Sequence, residues 1–271
     1  MKNNIKTFKL FVRPDEKSYE IADKIRRLNT QTSNPLIESD VADLTIAIGG
    51  DGSFIEAVTS TNFSKDTIYT GIHTGTLGFL QDLCENDVLS LIQYIKFEKE
   101  FKTRKVYIAS VKIHLNTGFT INFFALNDIV VAGTDYSKIH FEEYINGELL
   151  QKITGSGIII ATNTGDTAHS ANAGGAIDFS NNCQLICTPL DPIRNAAFER
   201  FLPNSLICSE VNLLFKPSNN ISIIIDGRRK DINSSDIKEV EISMINSNFI
   251  NKLDIMNFSK ANVTRKKILG Y

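Results

Sequence analysis

The segment Leu44-Thr45-Ile46-Ala47-Ile48-Gly49-Gly50-Asp51-Gly52-Ser53 joins an apolar run of strand length to three glycines that flank one carboxylate. Glycine adopts backbone angles that other residues avoid, and it lets a ligand approach the bare amide groups. In open α/β sheets, ligands bind where a strand ends and the next helix begins. We therefore predict that Asp51 lies at a ligand site after a parallel strand, with a helix from about Phe54. The alternative is a tight turn that carries a solvent-facing carboxylate.

The first hundred residues alternate between strand and helix patterns. Strands are expected at Phe8–Val12, Leu44–Gly49 and Thr67–Ile72, and apolar residues recur at helical spacing within Glu16–Leu28 and Val88–Ile95. This alternation predicts an α/β N-terminal domain with a Rossmann-like parallel sheet, which we place at residues 1–100.

The pattern changes after about residue 100. Short β-branched runs follow one another with turn signals between them, among which Asn146-Gly147 is a strong hairpin signal. Many short strands with little helix predict an antiparallel β-sandwich, which we place at residues 101–257. The tail at residues 258–271 is rich in Lys and Arg, and we expect it to pack back on the first domain.

Composition and charge exclude several classes of partner. The 271 residues carry a formal charge of −2, so no global basic field attracts nucleic acid or anionic lipid. No apolar stretch is long enough to span a membrane, and the polar start is not a signal peptide. The four cysteines form no CxxC pair or zinc signature, which favours free thiols in a reducing cytoplasm.

Two further segments have the composition of ligand sites. Thr162–Ala176 follows an apolar strand and is dense in glycine, small residues and hydroxyls, so it could wrap a ligand or form a long flexible loop. Asn127 and Asp128 interrupt another apolar strand. An amide and a carboxylate are good partners for vicinal ribose hydroxyls, although an Asx turn would also explain the pair.

The order and spacing of four motifs are similar to those of the NAD kinase family, in its short Gram-positive form. They are Gly49-Gly50-Asp51-Gly52, Gly71–Leu80, Leu126-Asn127-Asp128, and Thr164–Ala168 with Gly174-Gly175. The first motif alone is shared with diacylglycerol, sphingosine and phosphofructokinase-type kinases, whereas the later motifs are more specific.

This resemblance implies transfer of the γ-phosphoryl group of ATP to the 2′-hydroxyl of the adenosine ribose of NAD, which gives NADP. It makes Asp51 the proton acceptor and the β-rich domain the NAD-binding domain. It also implies Mg²⁺ or another divalent cation with ATP, and a homo-oligomer (dimer or tetramer) whose neighbouring subunits share the NAD site. No direct protein ligand for a metal is predicted. The residues expected to bind NAD or ATP are Gly50, Gly52, Phe79, Asn127, Asp128, Ser156, Thr167, Ala168, His169 and Asn172.

The chain departs from the family pattern at three positions. Asp166 and His169 replace a Ser and a Tyr in the small-residue loop, and Ser156 replaces an Asp. Asp166 could repel phosphate, face away or help a metal, and His169 offers less stacking surface than Tyr. The alternatives to an NAD kinase are a lipid or other small-alcohol kinase that shares the first motif, and a catalytically weak dinucleotide-binding regulator.

Overall fold

The computed structural model describes residues 4–75, 78–134, 137–180, 182–193, 202–208, 210–218 and 220–270. The chain divides into two compact units. The first unit contains Met1–Val106 and Phe249–Tyr271, and the second contains Tyr107–Asn248. The chain passes from one unit to the other inside two long strands. Whether residues 1–100, 101–257 and 258–271 behave as separate folding domains stays a prediction.

The first unit contains a parallel sheet with helices. Its elements before the chain enters the second unit are β1 (Thr7–Val12), α1 (Glu16–Thr30), β2 (Ile37–Glu38), β3 (Leu44–Gly49), α2 (Asp51–Ser60), β4 (Ile68–His73), β5 (Leu83–Cys84), α3 (Val88–Phe97) and the start of β6 (Thr103–Leu115). The strands β2, β1, β3 and β4 lie side by side and are parallel. Every residue of β3 is buried, as expected for a parallel strand that is covered on both faces. The predicted α/β fold is confirmed.

The turn after β3 differs from the sequence-based expectation. Helix α2 begins at Asp51 rather than near Phe54, with Gly50 in extended conformation as its N-cap. Gly49 has φ +147°, and a Cβ there would lie 2.3 Å from the Ser53 hydroxyl oxygen. Only glycine can adopt this backbone angle and leave room for Ser53. The chain therefore passes from strand to helix within two residues, and Asp51 lies in the first helical turn.

The second unit contains two antiparallel sheets. Its strands are the remainder of β6, β7 (Thr120–Ala125), β8 (Asp128–Gly133), β9 (Ile139–Ile145), β10 (Glu148–Gly155), β11 (Gly157–Thr162), β12 (Gln184–Leu190), β13 (Ser205–Cys208), β14 (Asn212–Pro217), β15 (Ile221–Ile225), β16 (Arg228–Arg229) and most of β17 (Ile237–Leu253). One sheet has the order β10-β9-β14-β17, with β6 beside β17 and β7 beside β6, and the other has the order β13-β12-β11-β8-β15-β16. Apolar side chains from both sheets form a common core, which confirms the predicted β-sandwich.

The C-terminal segment of the first unit follows β17, whose end pairs with β4 in parallel. The tail forms α4 (Lys260–Thr264) and continues through one wide helical turn at Arg265–Leu269. The Arg104 guanidinium lies 3.7 Å from the Phe258 ring centroid, and Thr264 is buried. Within the described ranges, no helix is long and apolar enough to cross a membrane.

Candidate functional site

The carboxylate of Asp51 is held by the backbone that follows β4. Its Oδ2 accepts a hydrogen bond from the Phe79 amide at 3.0 Å, and its Oδ1 accepts one from the Leu80 amide at 2.9 Å. Hydrogen bonds from amides to a carboxylate are charge-assisted and fix its orientation. The side chain of Asp51 nevertheless remains 24% exposed, so its carboxylate is accessible to a ligand.

The contact between Asp51 and this backbone depends on Gly78. A Cβ at position 78 would lie 2.1 Å from Asp51 Oδ1, which is much shorter than a non-bonded contact allows. A Cβ at Gly50 or Gly52, in contrast, would meet nothing within 4 Å. The space that a side chain would fill at these two glycines is therefore open.

Lys267 in the tail also binds Asp51. Its Nζ donates to Asp51 Oδ2 at 2.9 Å, and it lies 4.7 Å from the Phe79 ring centroid. The sequence did not indicate this residue, since 216 positions separate it from Asp51. The only available signal was the basic composition of the tail.

A buried ion cluster lies in the same unit. Lys252 is fully buried, and its Nζ contacts the Asp82 carboxylate, which also accepts from the Arg104 guanidinium at 3.3 Å. Burial and the neighbouring Arg104 charge lower the pKa of Lys252 to about 8. The Nζ of Lys252 also lies 5.5 Å from the ring centroid of Phe54, a buried residue of α2.

In the second unit, Asn127 and Asp128 stand at the start of β8 and are positioned by Asp226. The Asp226 carboxylate accepts from the amides of Leu126 at 2.9 Å, Asn127 at 2.6 Å and Asp128 at 3.2 Å. Sequence reasoning missed Asp226, although Asp226-Gly227 is a hairpin signal between β15 and β16. A single carboxylate thus fixes the backbone of three consecutive residues.

The same cluster contains polar atoms that a ligand could use. Asp128 is buried, and its burial together with the nearby Asp226 charge raises its pKa to about 6, while His169 opposes the increase. Asn127 Oδ1 and Thr167 Oγ1 are buried and have no hydrogen-bond partner in the described part of the chain. Buried polar atoms without partners are costly, so these two atoms are candidates for contacts with a bound nucleotide.

The small-residue loop after β11 has a buried side and an exposed side. Asp166 is fully buried, and its carboxylate accepts from the Asp178 amide at 2.7 Å. Ala168, His169 and Asn172 are exposed. Of the three possibilities for Asp166, the structure favours the one in which the side chain faces away from a ligand, because its carboxylate is buried and binds the backbone of the loop.

Ser156 lies apart from these residues. It immediately precedes β11, where Gly157 pairs with Ala132, whereas Asp128 pairs with Ala161 at the other end of the strand. Ala161, the partner of Asp128, is five positions after Ser156. At about 3.4 Å per residue, Ser156 is therefore about 17 Å from Asp128 along the strand. The structure therefore brings Asn127, Asp128 and the loop together within the second unit, but it does not bring Ser156 to them.

No group of three or more His, Cys, Asp or Glu side chains in the described ranges is arranged to hold a metal ion. The predicted site residues thus form one set around Asp51 in the first unit, with Gly50, Gly52 and Phe79. A second set surrounds Asp128 in the second unit.

Comparisons with known proteins identify similar chains. Residues 126–252 match the family model described as the ATP-NAD kinase C-terminal domain. An NAD kinase of Finegoldia magna is 31% identical over 263 residues, which cover 93% of this chain and 94% of that protein. NAD kinase 1 of Oceanobacillus iheyensis is 30% identical over 237 residues, which cover 86% of this chain and 88% of that protein.

Two solved structures share the fold. Yeast NADH kinase complexed with NADH superposes with a TM-score of 0.82 at 17% identity, covering 98% of this chain and 88% of that one. An NAD kinase from Archaeoglobus fulgidus in complex with ATP superposes with a TM-score of 0.72 at 17% identity, covering 97% of both chains.

Proposed function

The chain belongs to the NAD kinase family, and we propose that it transfers the γ-phosphoryl group of ATP to the 2′-hydroxyl of the adenosine ribose of NAD, with Asp51 as proton acceptor. The chain is thus an enzyme that phosphorylates NAD. The observation that carries the role of Asp51 is its partly exposed carboxylate, which two backbone amides orient at the end of a parallel strand.

The proposed chemistry matches this geometry. Phosphoryl transfer requires little covalent assistance from the protein, because positioning and charge neutralisation supply most of the acceleration. A carboxylate within about 3 Å of the attacking hydroxyl can orient it and accept its proton. Each Asp51 oxygen accepts one amide hydrogen bond, and Lys267 donates a second to Oδ2. Since a carboxylate oxygen has about two acceptor positions, Oδ1 can still accept from a hydroxyl.

We propose that Mg²⁺ accompanies ATP as part of the substrate. The ion would supply neutralisation of the phosphate charge, and it prefers hard oxygen ligands such as phosphates and carboxylates. The acceptor positions of Asp51 are taken by two amides, Lys267 and the attacking hydroxyl, so the phosphates would be the main ligands of the ion, and the ion would offset the charge between them and Asp51. The open space around Gly50 and Gly52 supports a place for phosphates there.

For the dinucleotide we propose the cluster in the second unit. Asn127 and Asp128 would bind ribose hydroxyls, and Thr167, Ala168, His169 and Asn172 would line the site. The buried but unpartnered oxygen atoms of Asn127 and Thr167 support this assignment. The exposed side of the loop supports it as well, because it carries three of the proposed contact residues.

We also propose a homo-oligomer. Ser156 is about 17 Å from Asp128 along the strand direction, so within one chain the two residues cannot contact the same part of a dinucleotide. A second copy could bring its Ser156 to the dinucleotide, as the family resemblance implies. Light scattering coupled to size-exclusion chromatography would measure the mass. A cytoplasmic location is proposed as well, supported by the free thiols Cys84 and Cys187.

The alternatives are less well supported. A lipid or other small-alcohol kinase would share only the first motif, whereas the similarity to NAD kinases extends over 93% of the chain. A regulator without turnover would not need the positioned Asp51.

The test is NADP formation from NAD, ATP and Mg²⁺, measured with a coupled NADP-specific dehydrogenase. Asp51→Asn removes the proton acceptor with little change in shape, and we expect turnover to fall by about 10²- to 10⁴-fold with NAD affinity near normal. Asp66→Asn, at an exposed position in the same unit, is the matched control. Unchanged turnover in Asp51→Asn would overturn the mechanism.

A further inference from the structure

We infer that Lys267 is a second catalytic residue of the phosphoryl-transfer centre, where its ammonium group neutralises first the Asp51 carboxylate and then the transferring phosphoryl group. This inference rests on the proposed function of Asp51. The contact that carries it is the hydrogen-bonded ion pair between Lys267 Nζ and Asp51 Oδ2 at 2.9 Å.

The first argument concerns where the ammonium group lies. If the attacking hydroxyl binds the free position on Asp51 Oδ1, Lys267 Nζ lies within about 8 Å of the attacking oxygen, given hydrogen bonds of ordinary length. A lysine side chain is flexible enough to cross this distance by rotating about its own bonds. The Lys267 side chain is one-third exposed and is therefore not enclosed by protein.

The second argument concerns charge during the reaction. As the 2′-oxygen attacks the γ-phosphorus, the O–H bond breaks and its proton passes to Asp51. The new P–O bond forms while the bond to the bridging oxygen breaks, and that electron pair leaves with ADP. Asp51 is then neutral, and Lys267 has lost its counter-ion. The nearest developing anion is the phosphoryl group on the same 2′-oxygen, where a cation that moves in from Asp51 lowers the barrier by offsetting the charge.

The third argument concerns how the tail holds Lys267 in place. Phe258 packs beneath the Arg104 guanidinium, the Ser259 hydroxyl accepts from the Asn262 amide at 3.3 Å, and Thr264 is buried. The helical segment ends at Gly270, which has φ +78°. A lysine that only covered the surface would not need this anchoring next to the reactive carboxylate.

The test compares Lys267→Met with Lys266→Met, which removes the same charge from the neighbouring exposed position. We expect kcat of Lys267→Met to fall about 100-fold, with the KM for NAD and the calorimetric NAD affinity within threefold of the parent. Lys266→Met should stay within twofold in all three quantities. A kcat of Lys267→Met within threefold of the parent, or equal losses in both variants, would overturn the inference.

A second measurement separates catalysis from tail packing. Ethylammonium should raise the kcat of Lys267→Ala at least tenfold. It should not change the kcat of Asp51→Asn. No recovery would indicate a structural role and overturn the inference. If Asp51→Asn is inactive while Lys267→Met is fully active, only the role of Lys267 fails. If Asp51→Asn is active, the proposed function of Asp51 itself fails.

Discussion

Replacing Asp128 with Asn should stabilise the protein at neutral and alkaline pH. The folded state raises the pKa of Asp128 from 3.8 to about 6, chiefly by burial and then by the Asp226 charge. The folded chain therefore binds this proton more tightly than the unfolded chain does. As a consequence, the free energy of unfolding decreases as pH rises between about 4 and 6, and the loss is complete above that range.

The size of the effect follows from the shift. A difference of about two pKa units corresponds to about 3 kcal/mol at pH 8 and about half of that at pH 5. Asn has nearly the same shape as Asp and carries no charge, so Asp128→Asn should gain this amount. At pH 3 and below, where Asp128 is largely protonated in both states, the gain should nearly disappear.

The assay is urea-induced unfolding at pH 5 and pH 8, followed by circular dichroism. Asp66→Asn is the control, because an exposed carboxylate should change the free energy of unfolding by less than about 0.5 kcal/mol at either pH. If Asp128→Asn is no more stable than the parent at pH 8, or if its gain is the same at both pH values, the reasoning is wrong. NAD affinity should fall in the same variant, since the proposed ribose contact of Asp128 is weakened.

Two further changes test the first unit. Gly78→Ala would force the Asp51 carboxylate to rotate away from the added methyl group. Turnover should then fall at least about 100-fold. The loss of two amide contacts should lower the free energy of unfolding, measured by urea titration, by only about 1–3 kcal/mol. Full turnover would show that this close approach is not needed. Lys252→Met removes a buried cation from Asp82 and should lower the free energy of unfolding at pH 7 by about 3 kcal/mol, and the added change Asp82→Asn should recover part of it. An unchanged urea midpoint in the single variant would contradict this reading of the cluster.

Local sequence patterns predicted the secondary structure well where the residues of a single element are enough to define it. The apolar run of β3 and the glycines after it located the strand end that carries Asp51. The start of α2 was placed too late, because glycine is a poor helix former and Gly52 suggested that the turn continued. In the structure Gly52 lies within the first helical turn.

Other features depend on pairing between distant segments. The apolar residues of Leu206–Phe215 suggest one strand, but β13 pairs with β12 in one sheet and β14 pairs with β9 and β17 in the other. Glu210 has φ +65°, which breaks the run between them. Nothing in the local pattern specifies which sheet each half joins.

The partners of the site residues were also beyond local reasoning. Asp226 binds the amides of residues 126–128 across about a hundred positions, and Lys267 reaches Asp51 from the tail. A composition or periodicity argument has no access to such contacts. Asp166 is a related case: its place in a small-residue loop left three possibilities open, and its burial and its hydrogen bond from the Asp178 amide favour the one in which it faces away from a ligand.

The division of the chain has a consequence for the order in which it can fold during synthesis. The first unit begins at the N-terminus but includes Phe249–Tyr271, whereas the second is one continuous segment. Domains generally fold as units while the chain leaves the ribosome. The β-sandwich can therefore be complete while the α/β unit, whose synthesis starts first, still lacks the end of β17 and the tail. Asp51 is translated 216 residues before Lys267, which binds it. With NAD held by the second unit, as proposed above, the nascent chain should acquire NAD affinity before it acquires turnover.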